Sequence, residues 1–308
     1  MILRIIHGLN ICALVLLAGC FSKSHQIKRS LMLQSQPGLP IVRFEPGAAY
    51  PITIWIHGTR MFPPGVLDNY FHSEPGLHHF SFTAPCYKVR RVAQDIIASD
   101  PLYYEQQGFY IFGWSGKLSF NERKRAAQEL YTQLKALRHS YREQFGHEPT
   151  IRIITHSHGG NVALNLAAVK DPEDIDFVID ELVVLACPVQ TKTARHAQDL
   201  IFKKIYSFYS YLDMLQVLDP QGLYTFKRSR TTPTFSEHQF ACWPSIEQIE
   251  LNLDWHGCLH IDFIRQEILK NFGAIMRVIK QWQHECKEQG IDWGAADKAL
   301  YLMRKTKS

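Results

Sequence analysis

The chain has 308 residues, of which 46% are hydrophobic and 20% charged, and these values exclude a disordered or collagen-like protein. Its formal net charge of +5 comes from 34 basic and 29 acidic side chains without a dense basic stripe, so no nucleic-acid partner is expected. A chain of this length is long enough to bury a sizeable core.

Residues 1–19 predict a signal peptide that ends at a lipidation site. Arg4 precedes an apolar run that peaks at residues 13–17 and is too short for a membrane span, which needs roughly 20 apolar residues. The run ends in Leu17-Ala18-Gly19-Cys20, which resembles the lipobox of bacterial lipoproteins. That resemblance implies cleavage before Cys20 and a lipid on its thiol. A plain secretory signal or an anchor helix, with Cys20 incidental, remains the alternative.

The lipobox resemblance also implies a location. The chain is expected in the bacterial cell envelope, anchored to a membrane by the lipid on Cys20. Phe21 follows this cysteine, where an Asp retains some lipoproteins at an inner membrane. The outer membrane is therefore favoured.

The mature chain divides into three predicted parts. Residues 20–45 are polar and predict a tether, residues 46–290 a folded domain, and residues 291–308 a C-terminal tail. Five cysteines remain after processing, an odd number, so at least one thiol is free or pairs with another molecule. Cys242 and Cys258 are a candidate disulfide that spacing alone does not establish.

The folded domain alternates strands and helices. Runs of β-branched, aromatic or aliphatic residues predict strands at 52–56, 108–112, 151–154, 182–186, 205–209 and 249–255. Helices are predicted after the capping box of Ser119 and Glu122, after Asn161, and from Ile261 onward. This alternation predicts an α/β fold with a mostly parallel sheet covered on both faces. Segments 60–105 and 219–245 do not follow this alternation and are interpreted as excursions from the sheet.

One turn carries a nucleophile signature. Ile154-Thr155-His156-Ser157-His158-Gly159-Gly160 joins a predicted strand directly to a helix. A turn this tight lifts its central side chain above the sheet and needs small neighbours, hence the usual G-x-S-x-G. Thr155 stands in the first small position and Gly159 in the second. A serine that merely caps a helix is the alternative.

The turn and its context resemble the α/β-hydrolase superfamily, particularly lipases and esterases. The resemblance spans about residues 50–285 and includes Ile56-His57-Gly58-Thr59 after an early strand. It implies the α/β-hydrolase fold and a catalytic serine, Ser157. It also implies an acid after the strand two beyond the nucleophile and a histidine before the final helix.

The acid and the histidine each have a favoured and a fallback position. Asp213 follows the fifth predicted strand and is favoured as the acid, with Asp219 as the fallback. His260 opens the final apolar-periodic stretch and is favoured as the general base over His256.

Backbone N–H groups would complete the site as an oxyanion hole. The resemblance implies one donor from His158 and another from Thr59, with Arg60 as an alternative to Thr59. Residues 61–82 are a candidate cap over the site, and Trp114 is a candidate pocket residue. No metal or other cofactor is expected.

The expected function is that of a membrane-anchored serine hydrolase. It would cleave carboxylic ester or thioester bonds of lipid-like or acylated substrates through an acyl-enzyme on Ser157. The membrane anchor motivates the lipid-like substrate. An amidase or thioesterase with the same three residues is one alternative, and an inactive hydrolase-like lipoprotein that serves as a binding or envelope module is the other.

Overall fold

The structure, a computed structural model, describes residues 26–34, 49–59, 73–218, 235–294 and 296–304. Ten strands in these ranges form one sheet. They are β1 Gln26–Met32, β2 Ile52–Ile56, β3 Gly76–His79, β4 Phe109–Gly113, β5 Ile151–His156, β6 Glu181–Leu185, β7 Ile205–Tyr209, β8 Ile246–Leu253, β9 His256–Gly257 and β10 Asp297–Met303.

The sheet is mostly parallel. Its order is β1-β10-β8-β7-β6-β5-β2-β4-β3, with β9 pairing antiparallel to β8. Among the pairs on this path only β3 with β4 is antiparallel. The carboxyl ends of β2 and β5–β8 therefore meet at one edge of the sheet, where loops bring distant residues together.

Helices cover both faces of the sheet. The α-helices of the described ranges are α1 Lys88–Ser99, α2 Phe120–Phe145, α3 Gly159–Leu164, α4 Leu166–Val169, α5 Thr191–Ala194, α6 Met214–Val217, α7 Gln266–Leu269 and α8 Phe272–Glu288. Short 3₁₀ turns occupy Phe80–Phe82, Gln106–Gly108, Arg195–Gln198 and Asp262–Ile264. None of the helices in the described part of the chain is both long enough and apolar enough to cross a membrane.

Two hydrophobic cores lie on opposite faces of the sheet. Successive side chains of β2 alternate between them, with Ile54 and Ile56 in one core and Trp55 in the other. Helices α1 and α8 cover the core that holds Trp55, while α2 and α3 cover the other. Strands buried on both faces read as continuous apolar runs. The predicted α/β fold class is confirmed.

The predictions of a tether at 20–45 and a tail at 291–308 are wrong where these stretches form strands of the sheet. Strand β1 lies within 20–45 and β10 within 291–308, and the two pair in parallel over seven positions at one side of the sheet. Strand β10 in turn pairs with β8. Leu300 and Leu302 are fully buried, so this part of the chain belongs to the core.

The start of the last helix is also corrected. A helix from Ile261 was expected, but a 3₁₀ turn and α7 precede α8, which begins at Phe272. Arg265 has an extended backbone with ψ of 142°, and this interrupts the helical path. Strand β8 ends at Leu253, two residues earlier than predicted, because Asp254 and Trp255 follow with positive φ angles.

The candidate disulfide is absent. Cys242 and Cys258 are both free thiols, as are the other three described cysteines. Cys242 is exposed whereas Cys258 is fully buried, and that burial raises the pKa of the Cys258 thiol to about 12.

The candidate cap at 61–82 is described only in part. Residues 61–72 lie outside the described residues, and the remainder contains β3, a strand at the edge of the sheet.

Candidate active site

Ser157 sits in a strained turn at the carboxyl end of β5. Its φ is 54°, in the left-handed region that residues other than glycine rarely adopt. The Ser157 N–H donates to the carbonyl of Leu185 at 2.8 Å, which ties the turn to the neighbouring strand β6. Helix α3 begins two residues later, at Gly159. This strand-turn-helix geometry is the one predicted for a nucleophile elbow.

Thr155 fits the position where a glycine is usual. Its side chain is fully buried, and its hydroxyl donates to the carbonyl of Val183 at 3.2 Å. The hydroxyl is therefore satisfied by the adjacent strand, so the larger residue leaves no unpaired polar group there.

Glycines allow the loop after β2 to press against the elbow. A β-carbon on Gly58 would lie 2.8 Å from the β-carbon of Ser157, and one on Gly159 would lie 2.5 Å from the carbonyl oxygen of Ile56. Only glycine permits these approaches. Thr59, the next residue in the loop, is buried and directly follows Gly58, which lies against Ser157.

His57 and Trp114 fix the conformation of that loop. The indole Nε1–H of Trp114 donates to the carbonyl of His57 at 2.8 Å, and the two rings stack with centroids 5.8 Å apart. The His57 Nδ1–H donates to the carbonyl of Gly58 at 2.8 Å. Its Nε2 then accepts from the backbone N–H of Trp114 at 3.3 Å. Trp114 therefore holds the backbone that carries Thr59.

His158, the residue after Ser157, is held by two side-chain amides. Its Nδ1 accepts from the side-chain amides of Gln190 at 3.2 Å and Asn161 at 3.4 Å. The ring is buried, and its backbone immediately precedes helix α3. Of the two predicted oxyanion donors, His158 directly follows Ser157, and Thr59 directly follows Gly58, which lies against Ser157.

Asp213 and His260 meet at the same edge of the sheet. The His260 Nδ1–H donates to Oδ2 of Asp213 at 2.7 Å. Oδ1 of Asp213 accepts from the backbone N–H of Gln216 at 3.1 Å, so Asp213 also caps α6. The Asp213 side chain is 1% exposed and that of His260 13%. A buried carboxylate with both oxygens engaged holds one tautomer of His260, in which Nε2 carries the lone pair.

His156 joins His260 to the elbow. Its Nε2–H donates to the backbone carbonyl of His260 at 3.0 Å, and the two ring centroids are 4.7 Å apart. Burial, and then the nearby His260 ring, hold the pKa of His156 well below its usual value. A neutral His156 therefore anchors the His260 loop beside the residue that precedes Ser157.

The remaining predicted positions fall elsewhere. His256 is exposed in β9 and pairs with Leu253, whereas His260 is the histidine that contacts the Asp213 carboxylate. Asp219, Arg60 and Cys20 lie outside the described residues.

The supporting residues do not stand out in the sequence. The one sequence signal for His156 is its position in the turn directly before Ser157. Nothing in the sequence marks Gln216 either, although its side-chain amide donates to the carbonyl of Cys187 at 2.8 Å and fixes the segment after Asp213. Contacts between loops of distant strands leave no periodic pattern in the sequence.

Exposed apolar side chains occur in the loops that carry the acid and the histidine. Seven large hydrophobic residues of the two loops are 44–66% exposed. They are Tyr211, Leu212, Met214, Leu215, Leu218, Trp255 and Leu259. The side chain of Leu212 packs near Gly257, so the loops that follow β7 and β8 touch. This set is called the apolar rim below.

Comparison with known proteins gives a likeness of fold only. No protein-family model matches this chain, and no curated protein matches it significantly. Among solved structures it is similar to esterase PE8, with 14% identity and a TM-score of 0.37 over 78% of this chain and 98% of that one. It is also similar to an esterase domain from Rhodothermus marinus, with 13% identity and a TM-score of 0.33 over 78% and 90%.

A third similar structure is much longer. Phospholipase PlaB from Legionella pneumophila, solved with thio-NAD, has 13% identity and a TM-score of 0.29. The match covers 45% of this chain and 25% of the phospholipase. Values this low carry no activity from these proteins to this one.

Proposed function

We propose that this protein is a serine hydrolase that cleaves carboxylic ester or thioester bonds through an acyl-enzyme on Ser157. The observation that carries the proposal is the Asp213–His260 hydrogen bond, formed beside a serine with a strained backbone. Surface serines and solvated carboxylates do not share this arrangement. The chain order of Ser157, Asp213 and His260 is the order that the resemblance to α/β-hydrolases implies.

The chemistry follows from the roles of the three side chains. His260 Nε2 would take the proton of Ser157 Oγ as that oxygen attacks the acyl carbon. Asp213 would stabilise the imidazolium so formed. The backbone N–H groups of His158 and Thr59 would bind the oxyanion of the tetrahedral intermediate. His260 would then protonate the leaving alcohol or thiol and activate a water that releases the acid.

The apolar rim supports an acyl or lipid-like substrate. Monomeric soluble proteins rarely expose large contiguous apolar patches without a binding role. The rim residues lie in the loops that carry Asp213 and His260, so an acyl chain whose carbonyl reached Ser157 would meet them. We further propose that a lipid on Cys20 anchors the domain to a membrane of the bacterial cell envelope.

Hydrolysis of 4-methylumbelliferyl esters tests the proposal. Residues 21–308 should cleave a series of acyl chain lengths, and Ser157→Ala should lower kcat by about 10⁴-fold or more. Ser115→Ala, which changes a loop serine outside the elbow, is the matched control and should retain activity. Equal turnover by Ser157→Ala would contradict the proposal. No turnover by the folded wild-type domain on ester, thioester or amide substrates would favour the inactive binding module.

A further inference from the structure

A buried arginine lies close to the elbow and has no part in the chemistry proposed above. Arg123, the fourth residue of α2, is 1% exposed, although a guanidinium is always charged. Arginine is almost never this buried unless other groups engage it. Its guanidinium carbon lies 4.9 Å from the Phe120 ring centroid, and its Nη2–H donates to Oε1 of Gln190 at 3.3 Å. The charge of α2 therefore reaches a side chain of the loop after β6.

Gln190 connects Arg123 to His158. Its backbone is fixed by the start of α5, because its carbonyl accepts from the N–H groups of Thr193 at 3.0 Å and Ala194 at 2.8 Å. Since Oε1 accepts from the guanidinium, Nε2 is the end of the amide that faces Nδ1 of His158, 3.2 Å away. A hydrogen bond from a charged donor is stronger than a neutral one. The cation therefore fixes which end of the amide points at the ring.

The orientation of this amide decides where His158 carries its proton. An amide NH₂ group only donates, so Nδ1 must accept and the ring proton lies on Nε2. Asn161 supports the same assignment, because its Nδ2 donates to the carbonyl of Pro188 at 2.9 Å and also lies 3.4 Å from His158 Nδ1. Two donors at Nδ1 disfavour a charged ring, whose Nδ1–H would face them. His158 is therefore held as one neutral tautomer in one orientation.

We propose that Arg123 is a positioning residue for the hydrolysis and acts through Gln190 on His158. The inference rests on the proposed function, because the His158 N–H is one of the two groups proposed to bind the oxyanion. Such a donor has to lie about 2.7–3.1 Å from the oxyanion, and a displacement of about 1 Å can cost about 10²-fold in rate. Fixed amides at the His158 ring limit the movement of the residue directly after Ser157. In this role Arg123 does not contact the substrate.

Ester hydrolysis by variants of the full chain tests the role. The substrate is soluble 4-methylumbelliferyl butyrate. Arg123→Met and Gln190→Met should each lower kcat by about tenfold or more with KM little changed, because the loss falls on the transition state. Arg123→Lys keeps the charge and should recover part of the loss. Arg125→Met is the matched control on the same helix, since the Arg125 side chain is 73% exposed and pairs with Glu122, and it should keep the wild-type kcat.

A double variant separates one shared path from two independent effects. If Arg123 acts through Gln190, the Arg123→Met/Gln190→Met chain should be no slower than the slower single variant. Losses that multiply in the double variant would contradict the proposal, as would a wild-type kcat in both single variants. Circular-dichroism melts identify any variant that fails to fold. If Arg123→Met is such a variant, Gln190→Met and the tautomer of His158 decide.

Nuclear magnetic resonance of ring-¹⁵N-labelled histidine reads this tautomer without turnover. The His158 signals are assigned by their loss in His158→Gln. The wild-type ring should carry its proton on Nε2, whereas Gln190→Glu, which places an acceptor beside Nδ1, should move the proton to Nδ1. A wild-type ring protonated at Nδ1, or an unchanged pattern in Gln190→Glu, would overturn the proposal. The expected tautomers in a folded wild-type chain without ester turnover would instead refute the proposed function and confirm the contacts from Arg123 to His158.

Discussion

His260 donates its Nδ1–H to Oδ2 of Asp213 across 2.7 Å, although 47 positions of sequence separate the two residues. Parallel strands explain the meeting, since β7 and β8 are neighbours and the loops after them leave the same edge of the sheet. The Asp213 carboxylate is buried and also accepts from the Gln216 N–H, so its orientation is set before any substrate binds. The pair is thus preorganised to hold one histidine tautomer.

Asp213→Asn should show whether Asp213 acts by fixing the His260 tautomer or only by filling space. The amide keeps the size of the side chain but offers an N–H where His260 needs an acceptor, so the tautomer changes. We expect kcat to fall by about 10³- to 10⁴-fold in ester hydrolysis. Asp254→Asn, in an exposed ion pair with Arg304, is the control and should stay near wild-type activity. Similar activity for both variants would contradict the assigned role of Asp213.

His156 should position His260 through one hydrogen bond. His156→Gln retains a side-chain N–H donor for the His260 carbonyl, whereas His156→Leu fills the space without a donor. We expect the leucine variant to lose about tenfold or more in kcat, with KM little changed, and the glutamine variant to recover part of the loss. Equal kcat in the two variants would show that packing alone supports the loop.

The stability of the fold should fall in mild acid because His156 is buried and neutral. Its pKa is lowered in the folded state, so below about pH 6.5 the unfolded chain takes up a proton that the folded chain resists. The free energy of unfolding therefore decreases as the pH falls. His156→Gln should remove a slope of up to about 1.4 kcal/mol per pH unit.

Urea unfolding at pH 7.5, 6 and 5 measures this slope. The pKa values of His78 and His196 are also lowered by burial, but both residues remain in the variant, so their contributions cancel in the difference. Curves for wild type and His156→Gln that run parallel over this range would contradict the prediction.

The strands were predictable from sequence where burial is complete. Residues 52–56 and 205–209 form β2 and β7 with the bounds that their apolar runs predict, because strands buried on both faces need such residues at every position. Strand β1 was not predictable, since its exposed and half-buried residues alternate and include Lys28 and Arg29. Its partner β10 comes from the other end of the chain, and nothing local indicates that pairing.

In the candidate site, too, local features could be predicted from the sequence and contacts between distant residues could not. The turn at Ser157 could be predicted because its signature is local, with a strand, small neighbours and a helix in one short stretch. Asp213 and His260 were placed by chain order, and the structure brings these two together. The role of His156 depends on a contact with a residue 104 positions away, which the sequence does not encode in any local pattern.

Removal of β1 should destabilise the domain. A chain beginning at residue 46, the predicted start of the folded domain, lacks the seven positions that pair with β10 and the Arg29–Glu285 ion pair. It would expose the edge of β10, where Leu300 and Leu302 are buried. We expect a melting temperature at least about 5 °C below that of residues 21–308. Equal melting temperatures would show that 20–45 acts only as a tether.

The most direct test of the account is the reaction of Ser157 with a fluorophosphonate. We expect residues 21–308 to be labelled on Ser157, as identified by peptide mass spectrometry. Labelling should vanish in Ser157→Ala, slow sharply in His260→Ala and persist in His256→Ala. Absence of labelling on the folded wild-type domain, or labelling that survives Ser157→Ala, would contradict the central claim that Asp213 and His260 activate this serine.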